Sequence, residues 1–153
     1  MLTRAIASLA ALAVSLAVTP APASAQTMNY PPGTFFIGGY PFGCGAATVT
    51  VVNGLGDLGR AAPGQFLLLD ASLNNYPVEV IGFVFAHECA HFMGQMNEDA
   101  ADAMAIQMGK QQGWISLFGL QQICQSVYFS PGSWTHFPGP VRCQRLMQFY
   151  SSY

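Results

Sequence analysis

Two histidines four residues apart enclose the run His87-Glu88-Cys89-Ala90-His91. On a helix that spacing puts both side chains on one face, with Cβ atoms about 5–6 Å apart. Two imidazoles so placed can converge on one metal ion, at Zn–N distances of about 2.0–2.1 Å. Glu88 stands one step round the helix from His87. It can sit beside a metal without ligating it and accept a proton from metal-bound water, whose pKa zinc lowers to about 7. The run has the form H-E-x-x-H. A chain with three His and three Glu in 153 residues carries that bare motif by composition alone about once in a thousand sequences.

A hydrolytic zinc site uses three protein ligands and keeps one position for water. Two neighbouring residues compete to be the third ligand. Glu98 opens Glu98-Asp99-Ala100-Ala101-Asp102, of the form E-x-x-A-D, in which Glu98 and Asp102 are again four apart. Glu98 would bind the metal, and Asp102 would hydrogen-bond a ligand histidine and fix its tautomer. Acids in a first helical turn also complement the helix dipole. That accounts for Asp99 but not for Asp102, a turn deeper in an apolar stretch. Asn97 is the other candidate. The stretch from His91 to Asn97 matches H-x-x-G-x-x-H of the metzincins with Asn in the last ligand position. A neutral amide is a poorer zinc ligand, and Asn97 also reads as a helix N-cap.

The elements that must position these groups follow from pattern. Residues 77–93 are apolar nearly all round and stop at Gly94, as expected of a buried helix, with Pro77 at its first position. A second helix runs from the Asn97 cap to about 112, before Gly113. Further helices are expected over about 116–127 and 140–150. Residues 46–52 and 65–70 read as strands. Residues 27–45, rich in Gly, Pro, Tyr and Phe, read as an irregular arm, and 54–64 as a glycine-rich loop.

The N-terminus has the layout of a secretory signal peptide over residues 1–25: Arg4, an apolar run, and Ala23-Ser24-Ala25 as the cleavage site. The apolar run is short beside the roughly 20 residues that span a bilayer. Residues 26–153 then form one domain, exported to the periplasm or the medium, with no stable membrane insertion expected. Without Arg4, four basic residues face seven acidic ones. No basic patch recommends nucleic acid as a partner. Only 8% of the chain is charged, yet Glu88, Glu98, Asp99 and Asp102 fall close together. Four cysteines in an exported chain suggest disulfides. Cys124 with Cys143 is favoured, since each lies in a predicted C-terminal helix, and Cys44 with Cys89 would follow.

From about 46 to 146 the chain resembles the gluzincin peptidases related to the CAAX prenyl proteases. Phe83-Val84-Phe85-Ala86 leading into His87-Glu88 is similar to that family's approach to its H-E-x-x-H, and 98–102 matches its E-x-x-A-D. His136 and Arg142 match its late His-Pro-x(4)-Arg element in spacing, with Phe137 where Pro is usual and Pro138 one place later. The resemblance implies that His136 approaches the oxyanion and that Arg142 supports the site with Asp102 or the substrate. It also places Asn53-Gly54 in a substrate-binding edge-strand region. The interval from His91 to Glu98 is much shorter than in the membrane members, and their membrane helices are missing. Their prenylated substrates therefore do not carry over. The metal site and peptide-bond hydrolysis do.

The expectation is an α+β, zincin-like domain: a short sheet of two or three strands, a central H-E-x-x-H helix and three further helices. Its function would be peptide hydrolysis with one Zn2+ per chain. His87, His91 and Glu98 would be the ligands, Glu88 the general base and His136 a further catalytic group. A peptide or protein substrate would add to an exposed strand at 48–53. The rival reading is an exported module that zinc and disulfides merely stabilise, or a proteinase-like binding protein without activity. Glu88 argues for catalysis, because a closed structural site has no use for a non-ligating carboxylate.

Overall fold

The computed structural model describes residues 27–153, and the expected leader at 1–25 lies outside the described residues. The chain is mixed α+β. Six short strands come first: β1 (Met28–Tyr30), β2 (Phe35–Ile37), β3 (Tyr40–Phe42), β4 (Val49–Val52), β5 (Gly59–Ala62) and β6 (Phe66–Asp70). A 3-10 turn (Ala71–Asn75) leads to α1 (Val78–Phe92), α2 (Glu98–Gln112), α3 (Leu117–Val127) and α4 (Gly139–Ser152). Among the described residues no helix is long and apolar enough to cross a membrane.

The N-terminal segment is not the irregular arm its composition implied. β2 and β3 form a hairpin with Ile37 opposite Tyr40. Gly38 and Gly39 both have positive φ, 56° and 86°, as a two-residue hairpin turn of the right twist requires. Phe35 and Ile37 face inward while Phe36 faces solvent, the two-residue alternation of a half-buried strand.

The main sheet has four strands in the order β1-β4-β6-β5, more than the two or three expected. β4 runs parallel to β6 and antiparallel to β1. The strand at 48–53 therefore has both edges occupied and cannot receive a substrate strand. β5 is the correction. It lies within the stretch that read as a loop, pairs antiparallel with β6 on one side only, and presents an open edge, as β1 does at the far end of the sheet.

α1 packs against α2, α3 and the sheet. Its buried residues include Val80, Phe83, Phe85, Ala86 and Ala90, and Phe85 contacts Phe35 and Phe42 from the hairpin. Each fully buried side chain of this size contributes about 1.5–3 kcal/mol. Pro77 is the N-cap of α1, one place earlier than its expected first-turn position. Both disulfides are formed as the sequence suggested. Cys44–Cys89 ties α1 to the segment before β4, and Cys124–Cys143 ties α3 to α4. Two disulfides are consistent with an exported protein.

Candidate metal centre

The end of α1 builds the first half of the site. Gly94, with φ 98°, turns the chain out of the helix. The Gln95 N–H donates to the Ala90 carbonyl and the Gly94 N–H to the His91 carbonyl, the paired bonds of a Schellman cap. That turn brings the Gln95 carbonyl within 2.6 Å of His91 Nδ1. Nδ1 then carries the proton, leaving Nε2 free to bind a metal. Asn97 ends the turn as the N-cap of α2, its side chain accepting the Ala100 N–H at 2.9 Å. The side-chain oxygen that the metzincin pattern would send to a metal is thus engaged in capping.

Glu98, the first residue of α2, returns to the histidine pair. His87 Nε2 lies 3.0 Å from His91 Nε2 and 3.1 Å from Glu98 Oε2, and His91 Nε2 lies 3.2 Å from the same oxygen. Donors arranged tetrahedrally about 2.0–2.1 Å from a zinc-sized ion stand about 3.3–3.4 Å apart. The three atoms therefore fit around one ion after a small outward movement. His136 joins from the loop between α3 and α4, with Nε2 2.9 Å from Glu98 Oε2. His87, Glu98 and His136 form a group able to hold a metal ion, their ligand atoms all within 4.8 Å of one another.

Behind His87 stands a buried relay. His87 Nδ1 lies 2.8 Å from Asp102 Oδ1, and Arg142 grips Asp102 through both oxygens, at 2.7 and 2.6 Å. One turn away Arg145 makes the same two-pronged contact with Asp99, so Asp99 does more than complement the helix dipole. Arg142 and Arg145 are three apart on α4, as Asp99 and Asp102 are on α2, so the two ion pairs stand side by side where these helices meet.

These contacts set the protonation of the metal-free site. Burial opposes charge on His87, but hydrogen bonds to Asp102 and Glu98 outweigh it and raise its pKa to about 9. Burial likewise opposes charge on Glu98, yet His87 and the neighbouring histidines hold it at about 2. Asp102 is also held below the usual carboxylate range, the bonds from His87 and Arg142 overcoming its burial. His136 is lowered, first by burial.

Glu88 differs from all of these. It is 9% exposed, and among the described residues no hydrogen bond or ion pair holds its carboxyl. Burial pushes its pKa up, against the pull of His87 and His91. It lines a cleft of about 450 Å3 together with His87, His91 and Glu98.

The chain matches no protein-family model, no curated protein and no solved structure.

One wall of the cleft comes from Asp57, Gly59 and Arg60, on and before β5, within the stretch expected to be a loop. Their signal was weak, since Gly59-Arg60-Ala61-Ala62 holds no β-branched or aromatic residue. The opposite wall is the loop carrying His136. The Ser133 N–H donates to the His136 carbonyl, and the Gly139 N–H donates to the Ser130 carbonyl across the loop base. Phe129 and Trp134, on the same loop, are almost wholly exposed.

Proposed function

We propose that this chain is an exported zinc peptidase of gluzincin type, similar to the CAAX prenyl protease-like peptidases. The observation that carries this reading is Glu88: a buried carboxyl without a partner, open to a cleft and adjacent to converging metal donors but not one of them. Buried ionisable groups are normally paired. An unpaired one with a raised pKa in a cleft is the signature of a group kept for proton transfer.

His87, His91 and Glu98 would hold the ion, an imidazole and carboxylate set that suits zinc. The bound zinc would polarise a peptide carbonyl and acidify a water. Glu88 takes the proton of the attacking water and gives it to the leaving amine. Asp102 and Arg142 hold His87 in the tautomer that leaves Nε2 free. His136 stands where it can donate a hydrogen bond to the oxygen that becomes negative. The open edge of β5 receives the substrate main chain by strand addition. Glu88→Gln tests the reading: it should retain about one zinc per chain and lose hydrolysis of a peptide mixture. Full activity in that variant would refute it.

A second reading has one observation in its favour. His136 sits as close to Glu98 as the other histidines do. A fourth donor would close the coordination sphere, as in structural zinc sites. Metal analysis of His136→Ala separates the two. A ligand's loss should greatly weaken zinc binding, whereas an oxyanion donor's loss should spare zinc and lower turnover.

A further inference from the structure

Among the described residues there are four cationic side chains, and the fold accounts for three of them. Lys110 donates to the Tyr150 carbonyl at 2.8 Å and lies over the Tyr150 ring. Arg142 holds Asp102, and Arg145 holds Asp99. Among the described residues the Arg60 side chain has no hydrogen bond, ion pair or ring contact, and the residue is exposed. In a chain only 8% charged, the single cation free of structural work lies on the wall of the cleft.

Its place on that wall is specific. Arg60 is the second residue of β5 and pairs with Leu68 of β6, so the other edge of β5 is open beside it. Its neighbour Gly59 packs directly on Glu88. Strand residues advance about 3.3 Å each. A peptide added to this edge with its reacting bond over Glu88 therefore brings a residue within about one position of that bond to Arg60. A guanidinium presents paired donors that match a carboxylate. Asp57, on the same wall, has Oδ1 engaged by the Leu58 N–H at 2.8 Å. Its charge bears on Glu88, so it opposes a carboxylate at the base itself, one strand residue away from the position that Arg60 faces.

We propose that Arg60 is a specificity-determining residue that selects peptides with a carboxylate next to the reacting bond, whether an Asp or Glu side chain or a free C-terminal carboxylate. This rests on the peptidase reading and adds the substrate class.

The test uses peptides that differ at one scanned position, Glu, Gln or Lys, each made with a free and an amidated C-terminus. Turnover is measured with the zinc-loaded wild-type protein, and binding with zinc-loaded Glu88→Gln. At one position Glu should be favoured over Gln by about three- to ten-fold, as for a partly exposed charge pair, and the preference should shrink as salt rises. Arg60→Gln should abolish it, and Arg60→Glu should turn it towards Lys. Preference retained in amidated peptides identifies the side-chain carboxylate, and preference confined to free C-termini identifies the terminal one. Equal turnover and binding of Glu, Gln and Lys peptides, or a Glu preference that survives Arg60→Glu, overturns the role of Arg60 and leaves the peptidase reading standing. Failure of the protein to bind or cleave any of them overturns both.

Discussion

Gly59 of β5 lies so close to Glu88 of α1 that a Cβ on the glycine would stand 2.6 Å from the Glu88 Cγ. The missing side chain is what lets the edge strand lie on the proposed base. Gly59→Ala should therefore push Glu88 out of position without touching a metal donor. The expected result is normal metal content and a near-normal melting temperature, with turnover lower by about ten- to a hundred-fold, the usual effect of a misplaced catalytic group. Unchanged turnover would mean that Glu88 need not sit where it does.

The ligand set makes a second prediction. Asn97 serves as a cap, and its loss in Asn97→Ala should cost about 1 kcal/mol of stability while sparing metal binding. Glu98→Ala removes an oxygen that faces His87, His91 and His136 at once. It should lose metal to moderate chelator concentrations. Metal titration of both variants decides the matter, and retention in Glu98→Ala with loss in Asn97→Ala would return the site to the metzincin pattern.

The relay behind His87 makes a third. Arg142→Ala leaves Asp102 buried with one partner fewer and frees the carboxylate to rotate. Metal affinity should fall about 10–100-fold, as for other groups that orient a ligand histidine. Arg142→Lys should recover only part of it, because an ammonium cannot hold both carboxylate oxygens in one plane.

Much of this centre was legible in the sequence because helical spacing is rigid. His87 and His91 share a face by arithmetic, as do Glu98 and Asp102, and Gly94 with Asn97 marks the turn between their helices. The helix limits could be read for the same reason, whereas Cys124–Cys143 was favoured only because its helices are neighbours in sequence, and Cys44–Cys89 was what remained. β5 could not be read. Its four residues have little intrinsic strand preference, and it is a strand only because β6 pairs with it. The hairpin at Gly38-Gly39 was written in its turn residues but hidden by the surrounding prolines and glycines. The pairing of Asp99 with Arg145 depends on how α4 lies across α2, which no local pattern encodes.

Acid stability supplies a fourth prediction. Asp70 is held at a pKa of about 2, chiefly by its hydrogen bonding with Ser72 and with the Leu55 N–H. An unfolded aspartate titrates near 3.9, so the ionised group stabilises the fold in full above about pH 4. That contribution disappears as pH falls through about 2. Asp70→Asn should melt lower than wild type at neutral pH, and the gap should narrow between about pH 4 and pH 2. Parallel thermal melts across that range measure it, and a gap that does not narrow would refute the assignment.

The Cys44–Cys89 bond gives a fifth. It closes a span of 45 residues and anchors a residue inside the metal-binding run to the segment before β4. Replacing both cysteines by alanine should cost about 2–5 kcal/mol in denaturant unfolding. Added zinc should recover part of that loss, because binding to the folded state alone stabilises it. A double variant as stable as wild type would show the bond to be dispensable.

The Cys124–Cys143 bond encloses the whole loop that carries His136, Phe129 and Trp134. Covalently, that stretch is a hoop. A protease that cuts it once, at the exposed rings or anywhere else between the two cysteines, opens the backbone but releases no piece. The nicked chain keeps its mass apart from one added water, and its halves separate only on reduction. Damage at the most accessible part of the cleft would therefore pass unseen on a non-reducing gel, while the arm bearing His136 hung from a single sulfur bridge.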